Sequence, residues 1–103
     1  MREQLTFKVE YESEIDESNN REFVFKHMKM KDVRKWSALQ KTDYDGDKMM
    51  DIINLLSDSL VNTSSKDFEK WIDNLYEDEF VSFLETYTVA KDEERKKWYM
   101  SFR

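Results

Sequence analysis

Between Phe23 and Lys41, in the stretch FVFKHMKMKDVRKWSALQK, the hydrophobic period changes within one short run of chain. Phe23 and Phe25 point one way and Val24 and Lys26 the other, which is strand spacing. Met30, Val33, Trp36 (or Ser37) and Leu39 or Gln40 then follow at helical spacing. A strand that feeds straight into an amphipathic helix must join a sheet to a helical layer. The sheet partner lies upstream, where Leu5, Phe7, Val9 and Tyr11 alternate with Thr6, Lys8 and Glu10. Between the two runs, ESEIDESNN (Glu12 to Asn20) is acidic, small and polar, and is expected to form a long, mobile loop.

Helices account for the remainder. Pro is absent and Gly occurs once, at Gly46, so Gly-dependent tight turns do not organise the chain and nothing forbids long helices. The first helix is expected from Met30 to about Lys41, with Lys29 where a capping residue would help. TDYDGDK ends it. Asp47 is expected to cap a second helix running to about Val61, with Met50, Ile53, Leu56 and Leu60 on one stripe and Met49 and Ile52 widening it. Ser64 and Asp67 have the spacing of a capping box before Phe68, Trp71, Ile72 and Leu75. After a hinge at 76–78, Phe80, Phe83, Leu84 and Tyr87 repeat that spacing. The reading is one α+β domain: a short N-terminal antiparallel strand pair (5–27), about four α-helices (30–90), and a charged, aromatic C-terminal tail (91–103). Trp36, Phe68, Trp71, Phe83 and Leu84 are assigned to the core.

At 103 residues there is room for one core, and seven Phe, five Tyr and three Trp fill it with large groups. Seventeen basic against 23 acidic residues give a formal charge of −6, which argues against non-specific nucleic-acid binding. Cys is absent, which removes disulfide frameworks and thiolate zinc sites. No run approaches the apolar length of a membrane span and MREQLTFKVEYE has no signal-like apolar segment, so a soluble, cytosolic protein is expected.

DYDGD invites comparison with a calcium loop. With Gly46 at position six, Asp43, Asp45 and Asp47 fall at three, five and seven, but Lys41, Lys48 and Ile52 occupy one, eight and twelve. A solvated loop between helices is the better reading, and no metal or cofactor site is expected. His27 is the only histidine and lacks any Cys with which to pair. The carboxylates of EYESEIDE and YEDE read as solvated faces or helix starts, so no catalytic residues are assigned and the chain is not expected to be an enzyme.

Two surfaces stand out as partner-binding candidates. Lys26 to Lys35 holds five basic residues against Asp32 alone, whereas Asp43 to Glu85 holds twelve acids against three lysines. Opposed patches of this kind steer docking or head-to-tail self-association, which places Lys31, Arg34 and Lys35 among the candidates. The others are Trp98, Tyr99 and Phe102. Trp98 and Phe102 are four residues apart, and such aromatics either cap the core or anchor an interface.

Phe23, Phe25, Met28, Met30, Trp36, Leu39 and Gln40, followed by an acidic loop, the apolar helix MMDIINLLSDSLV, then Trp71, Ile72 and Leu75 before EDEFVSFLETY, form a pattern covering most of residues 5–90. In it the chain resembles the tail assembly chaperones of long-tailed (siphophage-type) bacteriophages and prophages. Lys29 departs from that family, which usually carries a capping Thr there. The resemblance implies a non-enzymatic protein of the bacterial host cytoplasm, absent from the mature virion. It would look after the aggregation-prone tape measure protein and help recruit tail tube subunits around it. In that family a longer frameshifted product often carries the contact with the tube protein, and Lys91–Arg103 would be the junction. The alternatives are a small acidic inhibitor or nucleic-acid mimic that occupies a host protein's basic site, and a cation-binding regulatory module built on DYDGD.

Overall fold

A computed structural model describes residues 5–40 and 46–100, with the main chain alone for 98–100. Strands β1 (Thr6–Tyr11) and β2 (Arg21–Lys26) pair antiparallel, with Phe7 opposite Phe25 and Val9 opposite Phe23. Four helices follow: α1 (Met30–Gln40), α2 (Gly46–Ser59), α3 (Ser65–Asp73) and α4 (Glu77–Met100). The architecture is α+β, as the change of hydrophobic period implies.

The alternation in β1 sends Phe7, Val9 and Tyr11 inward and leaves Thr6, Lys8 and Glu10 in solvent. Phe23 and Phe25 of β2 join them on the same buried face. A two-stranded sheet is not stable alone, so this face must be covered. Phe80, Phe83, Leu84 and Tyr87 of α4 lie against it, with Phe68, Trp71 and Ile72 of α3 beside them. The rings meet edge to face: Phe23 with Trp71 at 4.9 Å, Phe25 with Tyr87 at 5.0 Å, Trp71 with Phe83 at 5.0 Å. Trp36 carries α1 onto this cluster through Tyr87 at 5.1 Å. Each such side chain stabilises the fold by about 1.5–3 kcal/mol through burial. The core assignments made from spacing all hold.

Several boundaries differ from the spacing argument. Residues 91–100 are not a separate tail, because α4 continues without interruption to Met100. Helix α2 begins at Gly46, so Asp47 stands inside its first turn and does not precede it as a cap. The buried stripe of α2 is Ile52, Leu55, Leu56 and Ser59, while Met50 is half exposed. The cap before α3 is as expected, with Ser64 Oγ accepting from the Asp67 N–H at 3.2 Å.

Helix α2 stops at Ser59 because the next residues leave it to finish β2. Val24 N–H donates to Asn62 Oδ1 at 3.0 Å, and Val24 C=O accepts from the Val61 N–H at 2.9 Å. Asn62 Nδ2 also donates to the Glu22 carbonyl at 3.2 Å. One asparagine with its neighbour thus takes the place of a third strand.

The connection between the strands is not the free loop expected for ESEIDESNN. It holds a 3-10 turn, Glu17–Asn19, with Asp16 accepting from the Ser18 N–H and hydroxyl. Its far anchor is Glu79, which belongs to the YEDE cluster read as solvated and is only 1% exposed. The Glu79 carboxylate accepts from Ser13 Oγ, from Asn19 Nδ2 at 3.0 Å, and from the Tyr76 N–H at 3.1 Å. The last of these is the return bond of a capping box, made from the third residue of α4 to the residue before the helix. Trp71 Nε1 adds a bond to the Asn19 carbonyl at 3.0 Å. One carboxylate therefore starts α4 and ties the strand connection to it.

The Ser13 hydroxyl, followed by the Tyr76 and Asn19 donors, holds the Glu79 carboxyl below its ordinary value of 4.5, against the opposing effects of burial and Asp16. Such a group contributes stability that is complete above its unfolded pKa and is lost as pH falls through the folded one. Urea midpoints measured from about pH 6 to about pH 3 are expected to fall less steeply for Glu79→Gln than for the parent chain. The variant should be the less stable of the two at neutral pH. Asn62→Ala is expected to cost about 1–2 kcal/mol in the same assay through the hydrogen bonds it makes to Val24 and Glu22 of β2.

Candidate protein-docking groove

The same strand-to-helix junction that joins the layers also opens a groove. Met30 at the start of α1 is exposed because β2 ends at Lys26 and the chain must swing round before the helix can lie down on Trp36. Between α1, the first residues of β1 and the C-terminal half of α4 lies a hollow of about 690 Å³. Phe7 and Trp36, both buried, form its floor. Leu5 and Met30, 51% and 70% exposed, stand at its rim, and His27, Met28 and Val33 are half buried along one wall.

The opposite wall is α4, which contributes Thr88, Lys91, Asp92 and Arg95. Lys91 places its ammonium 5.5 Å from the centre of the Trp36 ring, a cation held over an aromatic face. Burial pushes the Lys91 pKa below its ordinary value; Asp92 opposes that shift and Arg95 reinforces it. His27 packs edge-on against Phe7 at 5.4 Å.

The basic residues singled out from sequence flank this groove without forming its floor. Lys31, Arg34 and Lys35 are all exposed on α1. Lys35 instead borders a second, smaller hollow of about 430 Å³ against Asp51 and Asp58 of α2. Trp98 and Tyr99 fall on the last turn of α4, and Trp98 is the seventh residue after Lys91 along that helix. Phe102 and the DYDG segment at 43–46 lie outside the described residues except for Gly46, so the pairing of Phe102 with Trp98 and the acidic loop receive no structural account. The groove itself escaped the sequence reading. Its signal was the set Met28, Met30 and Val33 beside a basic run, which spacing alone assigns to a helix face.

Among the described residues no group of three or more His, Asp or Glu side chains is placed to hold a metal ion. No helix among them is long and apolar enough to cross a membrane. The arrangement offers apolar surface, sulfur and aromatic edges, and fixed positive charge, which is the chemistry of binding a polypeptide. No protein-family model, no characterised protein and no solved structure matches this chain.

Proposed function

We propose that the chain is a non-enzymatic tail assembly chaperone, binding the tape measure protein of a long-tailed phage or prophage and helping to recruit tail tube subunits around it. It would act in the bacterial cytoplasm and be absent from the mature virion. One observation carries the binding part of this reading. In a chain of net charge −6, a largely apolar hollow is bordered by Lys91 and Arg95, with Asp92 between them and Lys31 and Arg34 on the adjoining helix. That combination suits an amphipathic helix laid into a groove, with apolar anchors inside and acidic residues along its margin. A long helical client with exposed apolar stripes presents such segments repeatedly. The choice of client rests on the resemblance across most of residues 5–90.

Co-expression with a tape measure protein from the same genome, followed by affinity pull-down and sizing, tests the proposal. A soluble co-complex is expected. Met30→Asp combined with Val33→Asp should weaken it tenfold or more, since placing charge at an apolar anchor removes most of what that anchor contributes. Neither residue belongs to the buried cluster, although both border the groove floored by Trp36 and Phe7, so the variant should stay folded, with a melting temperature lowered by no more than about a few degrees. Loss of the complex on Trp98→Ala with Phe102→Ala, while the groove variant binds normally, would move the site to the end of α4. No complex and no rescue of solubility would overturn the function.

A further inference from the structure

We propose a second docking site on the outer edge of β1, which accepts an extended segment of another protein carrying apolar residues and at least one lysine or arginine. It is independent of the chaperone reading and opposite in charge to the α1–α4 groove.

The ladder shows which main-chain groups are available. The His27 N–H donates to the Leu5 carbonyl at 3.0 Å, so residues 5 and 27 form a hydrogen-bonded pair. In an antiparallel ladder such pairs alternate with non-bonded ones. Phe7, Val9 and Tyr11 therefore spend their main-chain groups on β2, and Thr6, Lys8 and Glu10 direct theirs away from it. On the far side of the sheet, Val24 and Glu22 are in the equivalent position, and Val61 and Asn62 cover them. Among the described residues nothing bonds to the main-chain groups of Thr6, Lys8 or Glu10. Among the described residues the sheet has one finished edge and one open edge, and an open edge is a template for a further strand.

The surroundings of the open edge specify what fits. A hollow of about 440 Å³ is lined by Glu10 and, on α4, by Glu85, Thr86, Val89, Ala90 and Glu93. Glu10 stands on the solvent face of the sheet while α4 packs against the other face. A hollow touching both must run along the outer edge of β1. Val89 is 57% exposed there and gives an incoming strand an apolar seat. The three carboxylates around it call for a cation. Glu10 needs one most, because Glu22 lies directly opposite it and Lys8 has been taken by Glu22 at 3.4 Å. Like charges facing each other across a strand pair are unfavourable, and a basic side chain arriving beside Glu10 relieves this. A basic neighbour beside Lys8 is disfavoured by like charge, so the basic residue belongs at one position and not all along the segment.

Strand addition of this kind takes affinity from main-chain hydrogen bonds and selectivity from alternate side chains. A second copy of the chain suits the edge less well, since joining two β1 edges brings the carboxylates of both α4 helices to one seam.

The probe is the end-blocked hexapeptide Val-Lys-Val-Thr-Val-Thr, titrated to millimolar concentration against the 15N-labelled chain. Amide shifts and slowed exchange are expected at Thr6, Lys8 and Glu10, with Val89 and Ala90 following. The same peptide with glutamate for lysine should bind at least tenfold more weakly. Lys8→Pro removes an outward N–H and no ladder bond, and should abolish the response. Should that variant fail to fold, Glu10→Lys with Glu93→Lys tests the charge requirement without touching the main chain, and should reverse the preference between the peptides. Absence of shifts, shifts centred elsewhere, or equal binding of both peptides would overturn the proposal. Concentration-dependent shifts at these amides without peptide, with a doubled mass on sizing, would assign the edge to a second copy instead.

Discussion

The inward face of a two-stranded hairpin sets the terms for everything else in this fold. Among the described residues Phe7, Val9, Tyr11, Phe23 and Phe25 have no third strand beside them, and two strands cannot bury such a face between themselves. The helices supply the missing layer. Helix α4 runs along β1 with Phe83 and Tyr87 set edge-on to strand rings, α3 contributes Phe68 and Trp71, and α1 reaches the cluster through Trp36. Offset and edge-to-face rings add about 0.5–1.5 kcal/mol per pair beyond their burial, so a small core of large groups serves a chain of this length. Tyr87 shows the priority given to packing: it is fully buried, burial pushes its hydroxyl pKa up, and the oxygen has no hydrogen-bond partner among the described residues.

What could be read from the sequence was whatever repeats along it. The period of two in β1, the change of period after Phe25, the Ser64 cap and the faces of α3 and α4 each declare themselves within a few residues. Glu79 does not. In YEDE it looks like any acid in the first turn of a helix, and its partners Ser13 and Asn19 are more than fifty positions away. Asn62 is concealed in the same way, as one polar residue in a run of them, until the unpaired groups of Val24 and Glu22 are laid beside it. The end of α4 is hidden in the sequence for a different reason. KDEERKK has no apolar stripe to mark a period, yet its residues favour helix and nothing in them stops one. Met50 fell off the expected stripe because α2 presents Ile52, Leu55 and Leu56 to the core, a rotation that a wide apolar band allows.

The candidate sites follow from the same economy of strands. Because β2 is followed directly by a helix, the chain must turn sharply from β2 into α1, and that turn leaves Met30 and Val33 beside Trp36 as a groove under Lys91. Because Asn62 finishes only one edge, the other is open, among the described residues, above Val89 and its acids. The basic groove and the acidic edge share α4 as a common wall. A partner held in one need not compete with a partner held in the other, and their chemistries favour different segments.

Hairpin and helices are expected to open as one cooperative unit, pinned by Glu79 and the ring cluster, with one edge of the sheet open among the described residues. Native-state hydrogen exchange under increasing denaturant measures this directly. The ladder amides of Phe23 and Phe25 and the α4 amides from Phe83 to Tyr87 should exchange only through global opening, at one shared free energy, with Val24 and Val61 protected and Thr6, Lys8 and Glu10 exchanging freely. A hairpin that opens at much lower free energy than α4, or protection at Lys8 equal to that at Val24, would contradict the account.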